Sequence, residues 1–184
     1  LPSPGRFQLF YLLHLSQPAA DRPIYRTLKD RPVRSIVEFG VENGQRALRM
    51  LDLASTHVPA NEIRYTGVDL FEARTEPKGA SLSLKEAHRQ LKATGAKIQL
   101  LPGDPFMALS RAANTLTGID LVVISASQDA DALARSWFYL PRMLHGRSQV
   151  FLQQCSAKGE IAVRELTMGE IADLAGAALR RQAA

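Results

Sequence analysis

The sequence predicts a single α/β domain, a mainly parallel sheet with helices on both faces. Three observations carry this expectation. From residue 33 onward, short β-rich runs alternate with helical patterns, and such alternation demands right-handed crossovers that leave the strands parallel. The run Ile119–Ile124 is almost continuously apolar, as in a strand covered on both faces. Finally, 184 residues with 46% hydrophobic and 22% charged side chains suit one domain with its own core.

Taken in order, residues 1–32 read as a helical N-terminal extension packed on the core, and residues 33–184 as the α/β domain proper. Ser3-Pro4-Gly5 is turn material, and Phe7, Phe10, Tyr11 and His14 share one helical face. Asp21 can cap a second short helix that tolerates Pro23 in its first turn, and Arg31-Pro32 ends it. Residues 33–38 form the first strand, and a helix from Gly44 places Ala47, Leu51, Ala54 and Val58 on one side. Residues 63–69 form the second strand, followed by a helix from Ser83 with Leu84, Ala87 and Leu91 aligned. The third strand, 97–101, precedes a helix carrying Phe106, Leu109, Ala113 and Leu116. After the fourth strand, 119–124, Asp131 is positioned to cap a helix running to Leu144. Residues 148–153 form the fifth strand, and Ile171, Leu174, Ala175 and Ala178 mark a closing helix. Between these last two, residues 161–166 leave room for at most one short strand.

Composition excludes several classes. One cysteine, Cys155, permits neither an internal disulfide nor a thiolate metal cage and suits a reducing cytoplasm, the expected location. The early apolar run, residues 7–15, is too short for a membrane span and lacks the tripartite pattern of a signal peptide. The net charge of +5 is spread along the chain. Its one loose group, Arg22, Arg26, Lys29, Arg31 and Arg34, lacks the aromatic array on which a single-strand groove stacks bases, so nucleic acid is not an expected partner. His14, His57, His88 and His145 lack metal-ligand spacing, and no histidine pairs with Cys155 in sequence. Trp137, Phe138 and Tyr139 read as core packing, with Arg142 facing out.

In sheets of this kind, ligands bind at the carboxyl ends of the strands. The first strand runs into Glu38-Phe39-Gly40-Val41-Glu42-Asn43-Gly44, where Gly40 can adopt a positive φ and Gly44 lets the helix start close to the sheet. The helix-start N–H groups favour an electron-rich ligand, although the segment also reads as a plain strand-to-helix turn. Asp69 ends the second strand and either accepts bonds from a ribose diol or caps a loop. Asp104, after Gly103, either accepts from an adenine amino group or caps the next helix.

In order and spacing, Val37-Glu38-Phe39-Gly40-x-x-x-Gly44, Gly67-Val68-Asp69, Gly103-Asp104 and Ile119-Asp120-Leu121-Val122-Val123-Ile124 resemble the motif series of class I S-adenosylmethionine-dependent methyltransferases. The resemblance spans roughly residues 33–153 and is closest to the small-molecule O-methyltransferase-like branch. It implies a Rossmann-like, doubly wound sheet, S-adenosylmethionine as cofactor with S-adenosylhomocysteine as product, and a small-molecule acceptor. It also implies that Glu38, Gly40 and Gly44 shape the methionine end of the site, that Asp69 holds the ribose, and that Asp104 contacts the adenine. Ser125 falls at the same edge, just after the fourth strand.

Two departures stand out. Glu42 occupies a place where the family usually has a further glycine, so its carboxylate faces the cofactor's amino-acid end. Ser125-Ala126-Ser127-Gln128 is neutral where this branch often places acids or a histidine, so neither a metal ligand nor a catalytic base is assigned. Family members also carry two strands after the fifth, as an antiparallel hairpin. Here only residues 154–184 remain, so the hairpin is expected to be shortened or missing. The edge beside the fifth strand is then exposed, and a homodimer through it is an expectation. Three rival readings exist. A degenerate member could serve as a binding or assembly module. A nicotinamide-dependent enzyme lacks support because the compact Gly-x-Gly-x-x-Gly is absent. An RNA methyltransferase lacks the Asn-Pro-Pro-Tyr-type motif after the fourth strand.

Overall fold

A computed structural model of the chain describes residues 5–74, 82–156 and 159–182. Ser3 and Pro4, read above as turn material, lie outside the described residues. The N-terminal extension comprises α1 (Arg6–Phe10), a π-helical turn at Tyr11–Leu15 and α2 (Arg22–Asp30). Next come β1 (Ser35–Phe39), α3 (Gln45–Ala54), β2 (Arg64–Asp69) and α4 (Leu84–Lys92). The middle holds β3 (Lys97–Pro102), α5 (Pro105–Ala112), β4 (Ile119–Ile124), α6 (Ala130–Ser136) and α7 (Leu140–Met143). The chain closes with β5 (Leu144–Cys155), β6 (Ile161–Leu166) and α8 (Met168–Gln182).

The strands lie in the order β3-β2-β1-β4-β5-β6. Pairing is parallel from β3 through β5 and antiparallel between β5 and β6. Strand order therefore reverses between β1 and β4, which creates the crevice where doubly wound sheets take ligands. Alternation along each strand divides the core. Ile36, Tyr65, Leu121, Val123 and Phe151 pack with Ile24, Leu28, Met50, Leu51 and Leu91 of the extension, α3 and α4. Val37, Phe39, Val68, Val122, Val150 and Leu152 pack on the other face with Leu109, Trp137, Leu140 and Ile171. The helices on both faces thus explain why β4 reads as continuously apolar.

The C-terminal hairpin is shortened, as expected, rather than missing: β6 pairs antiparallel with β5 from Val150↔Leu166 to Cys155↔Ile161. Other expectations need correction. The edge of β5 is therefore covered, and the open edge on that side belongs to β6, most of whose residues are exposed. Phe7, Phe10, Tyr11 and His14, read as sharing one helical face, are all exposed, Phe7 at 93%, while Leu12 and Leu13 of the π-helical turn are buried. The helix expected from Asp131 to Leu144 is broken by a 3-10 turn at Trp137–Tyr139, and Pro141 starts the short α7 because proline cannot continue a helix interior. Asp129, not Asp131, caps α6 by accepting from the Ala132 N–H at 2.8 Å.

Among the described residues, no helix is long and apolar enough to cross a membrane.

Candidate cofactor site

The four strand tips converge as the alternation predicts. The Gly40 N–H donates to the Val68 carbonyl (2.8 Å), Gly103 to Asp69 (2.9 Å) and Ser125 to Phe39 (2.9 Å). Gly40, Asp69, Asp104 and Ser125 therefore lie along one edge of the sheet. The turn after β1 winds through three left-handed residues: Gly40 at φ +93°, Glu42 at +55° and Gly44 at +74°. A Cβ on Gly40 would lie 2.7 Å from both Ser125 Cβ and Gln128 Nε2, and one on Gly44 would lie 2.9 Å from Leu82 Cδ1. Gly40 is thus required by space as well as by φ, whereas at Gly44 the Leu82 methyl can move aside and the left-handed φ is the constraint. Glu42 adopts the same conformation with a full side chain, a strain of about 1–2 kcal/mol.

Glu42 is also held from both ends. Its N–H donates to Asp69 Oδ2 (2.8 Å), while its Oε1 accepts from the Ser125 hydroxyl (2.7 Å) and the Ser127 hydroxyl (2.9 Å). Within the neutral Ser125–Gln128 segment, two hydroxyls thus clasp Glu42. Among the described residues, no group of three or more His, Cys, Asp or Glu side chains is placed to hold a metal.

Behind the turn lies a buried ionic cluster. Glu38, 0% exposed, accepts from Arg46 Nε at 2.6 Å and from the Tyr65 hydroxyl. Arg46 also donates from Nη1 to Gln153 Oε1 (2.9 Å) and from Nη2 to the Gly40 carbonyl (2.8 Å). Gln153 Nε2 reaches Asp21 Oδ1 at 2.7 Å, and Arg46 Nη1 lies 3.6 Å from the same oxygen. Burial pushes the Glu38 and Asp21 carboxyls above the usual range, with Arg46 opposing it in both. Burial and the neighbouring Glu38 push the Tyr65 phenol well up. One guanidinium thus ties the extension, β1, α3 and β5 together and grips the carbonyl of the first turn.

Asp21 sits at the N-terminus of α2 but makes no side-chain cap bond there, contrary to its expected role; its carboxylate is committed to Gln153, Tyr25 and Arg46. Asp104 does cap α5, accepting from the Met107 N–H at 2.8 Å. Asp69, 3% exposed, accepts from the Phe71 N–H at 3.1 Å and from Arg74 through Nε (3.0 Å) and Nη2 (2.7 Å to each oxygen).

A cavity of about 370 Å³ opens against this edge, lined by Asp21, Glu42, Arg46, Arg49, Ser125 and Gln153 among others. That size is in the range of small-molecule sites. It lies beside Glu42 and Ser125; neither Asp69 nor Asp104 lines it. Arg46, Tyr65, Gln153 and Arg74 join this region without having been singled out from the sequence. Two signals were available. Glu38 lies in an otherwise apolar strand, and Arg46, Met50 and Leu53 fall on one helical face, an arrangement that asks for a buried pair.

No family model matches the sequence, and no curated protein does either. Solved structures do match. The O-methyltransferase TomG from Streptomyces achromogenes, solved with S-adenosylmethionine, aligns at TM-score 0.54 and 16% identity, covering 77% of this chain and 57% of TomG. A TehB-like S-adenosylmethionine-dependent methyltransferase from Corynebacterium glutamicum aligns at TM-score 0.54 and 14% identity, over 94% of this chain and 78% of that one. A precorrin-6y C5,15-methyltransferase from Geobacter metallireducens aligns at TM-score 0.51 and 13% identity, over 88% and 71%. The chain has the fold of class I S-adenosylmethionine-dependent methyltransferases. At these identities the likeness is one of fold, and the chain spans little more than half the length of TomG.

The donor set fits the cofactor that this fold implies. A carboxylate stands at the tip of β2, and a left-handed turn precedes α3. One side chain, Arg74, occupies the oxygens that a ribose diol would use.

Proposed function

We propose that this chain is an S-adenosylmethionine-binding methyltransferase domain acting on a small-molecule acceptor. The observation that carries the reading is the Asp69 carboxylate, placed at the tip of β2 beside the left-handed Gly40–Gly44 turn. Asp69 holds the ribose hydroxyls, Asp104 lies on the adenine side, and Glu38, Gly40, Glu42, Gly44 and Ser125 shape the amino-acid end. When bound, the cofactor supplies a methyl group on a sulfonium, and the protein's part is chiefly alignment of an acceptor beside it. The cavity next to Glu42 and Ser125 is the space offered to that acceptor. The open edge of β6 is where a second copy would pair.

A second reading, a binding or assembly module that keeps the fold without turnover, draws on the Glu42 clasp to Ser125 and Ser127. Calorimetric titration with S-adenosylhomocysteine separates the two. The lead reading expects measurable binding that Asp69→Ala weakens by about 1.5–3 kcal/mol through loss of charge-assisted bonds. No binding by the parent protein supports the module instead.

A further inference from the structure

We propose that Arg74 is an internal stand-in for the cofactor's ribose, and that cofactor binding proceeds by displacing its guanidinium from Asp69. The inference rests on the S-adenosylmethionine reading above. Five hydrogen bonds converge on the Asp69 carboxylate: the Glu42 and Phe71 N–H groups, one from Arg74 Nε and two from Arg74 Nη2. An ionised carboxylate offers about four lone-pair sites, so it has none left for a diol. Ribose hydroxyls donate to the same oxygens, so nucleoside and guanidinium exclude each other.

Only one of the present donors can yield. The Glu42 N–H belongs to the turn after β1, and the Phe71 N–H belongs to a 3-10 turn in which Phe71 is buried at φ +48°. Both are fixed by backbone. Arg74 follows that turn, and its side chain is 18% exposed against 2% for Asp69, so the guanidinium has a route to water. Without ligand, Arg74 neutralises a buried carboxylate that two N–H bonds would otherwise serve alone. The same contact taxes the ligand, because apparent affinity falls by the fraction of molecules in which the site is open.

The device has a signature that a purely structural ion pair lacks. The tax applies to any ligand carrying the ribose and to none that lacks it. The test titrates S-adenosylhomocysteine, adenosine and methionine separately into the parent protein, Arg74→Ala and Arg74→Met, with thermal unfolding of each. Arg74→Met keeps the apolar stem and guards against misfolding of the alanine variant. Expected are a lower unfolding midpoint without ligand, and S-adenosylhomocysteine and adenosine binding tightened by about tenfold, equivalent to an open fraction near one tenth in the parent. Methionine binding is expected to stay unchanged. Equal or weaker S-adenosylhomocysteine binding by both variants, with the parent still binding, overturns the stand-in and leaves the cofactor reading intact. Equal tightening of methionine also overturns it, because the gain would then not come from the ribose position. If neither parent nor variants bind S-adenosylhomocysteine, both proposals fall together.

Discussion

Arg46→Met removes the cation from the cluster behind the first turn and leaves its volume nearly filled. Glu38 loses its 2.6 Å partner, Gln153 and the Gly40 carbonyl lose theirs at 2.9 and 2.8 Å, and Asp21 loses the charge 3.6 Å away. Removing one partner of a buried ion pair costs about 3–5 kcal/mol, because the abandoned charge stays dry. Here two nearly inaccessible carboxylates are abandoned, which places the loss at about the upper end of that range. Against a total stability of about 5–15 kcal/mol the change is large. With a urea slope of about 2 kcal/mol per molar, it moves the unfolding midpoint down by about 2.5 M. Trp137, the single tryptophan and a buried one, reports the transition by fluorescence. The deficit must also depend on pH. Burial already holds Glu38 and Asp21 above the usual carboxyl range with Arg46 opposing, and without Arg46 both rise further. A carboxyl raised in the folded state contributes stability that is fully present below its unfolded pKa and lost as pH rises through its folded one. The deficit of Arg46→Met is therefore largest near neutrality and shrinks toward pH 5. A loss below about 1 kcal/mol, or one equal at both pH values, refutes the assignment of Arg46 as the charge that holds this cluster.

Glu42→Gly relieves a left-handed strain of about 1–2 kcal/mol and forfeits the Ser125 and Ser127 hydroxyl bonds, so its unfolding midpoint should stay within a few degrees of the parent. Its affinity for S-adenosylhomocysteine should rise several-fold, on the order of 1 kcal/mol, because a carboxylate leaves the neighbourhood of the ligand's own; weaker binding by calorimetry would show that Glu42 serves the ligand's ammonium. Asp104→Ala removes the cap of α5 and should cost about 1 kcal/mol in urea unfolding. Asp104→Asn should recover most of it, and a failure of Asn to do so would mean that the charge, not the cap, matters.

The parallel sheet was legible because alternation and the apolar 119–124 run are properties of local sequence. The converging tips followed from topology, since each strand end sits where its neighbour's does. What escaped were partners chosen by tertiary packing. Arg46 reads as an ordinary helix residue until Glu38 is seen to face α3, and Gln153 and Asp21 meet across a separation of 132 positions. Asp21 illustrates the competition directly: a residue type suited to capping was drawn off by a buried guanidinium. Arg74 left no mark in any motif, because its pairing with Asp69 depends on the 3-10 turn between them.

The central claim is that the strand-tip edge around Asp69 binds the nucleoside and amino-acid ends of S-adenosylmethionine. Backbone amide NMR of the parent protein during titration with S-adenosylhomocysteine tests it most directly. The largest shifts are expected on Gly40, Glu42, Gly44, Asp69 and Ser125, with Arg74 moving among them as it leaves its carboxylate. Saturating ligand that shifts none of these amides, or shifts centred on the opposite end of the sheet near Arg31, Asp120 and His145, would contradict it.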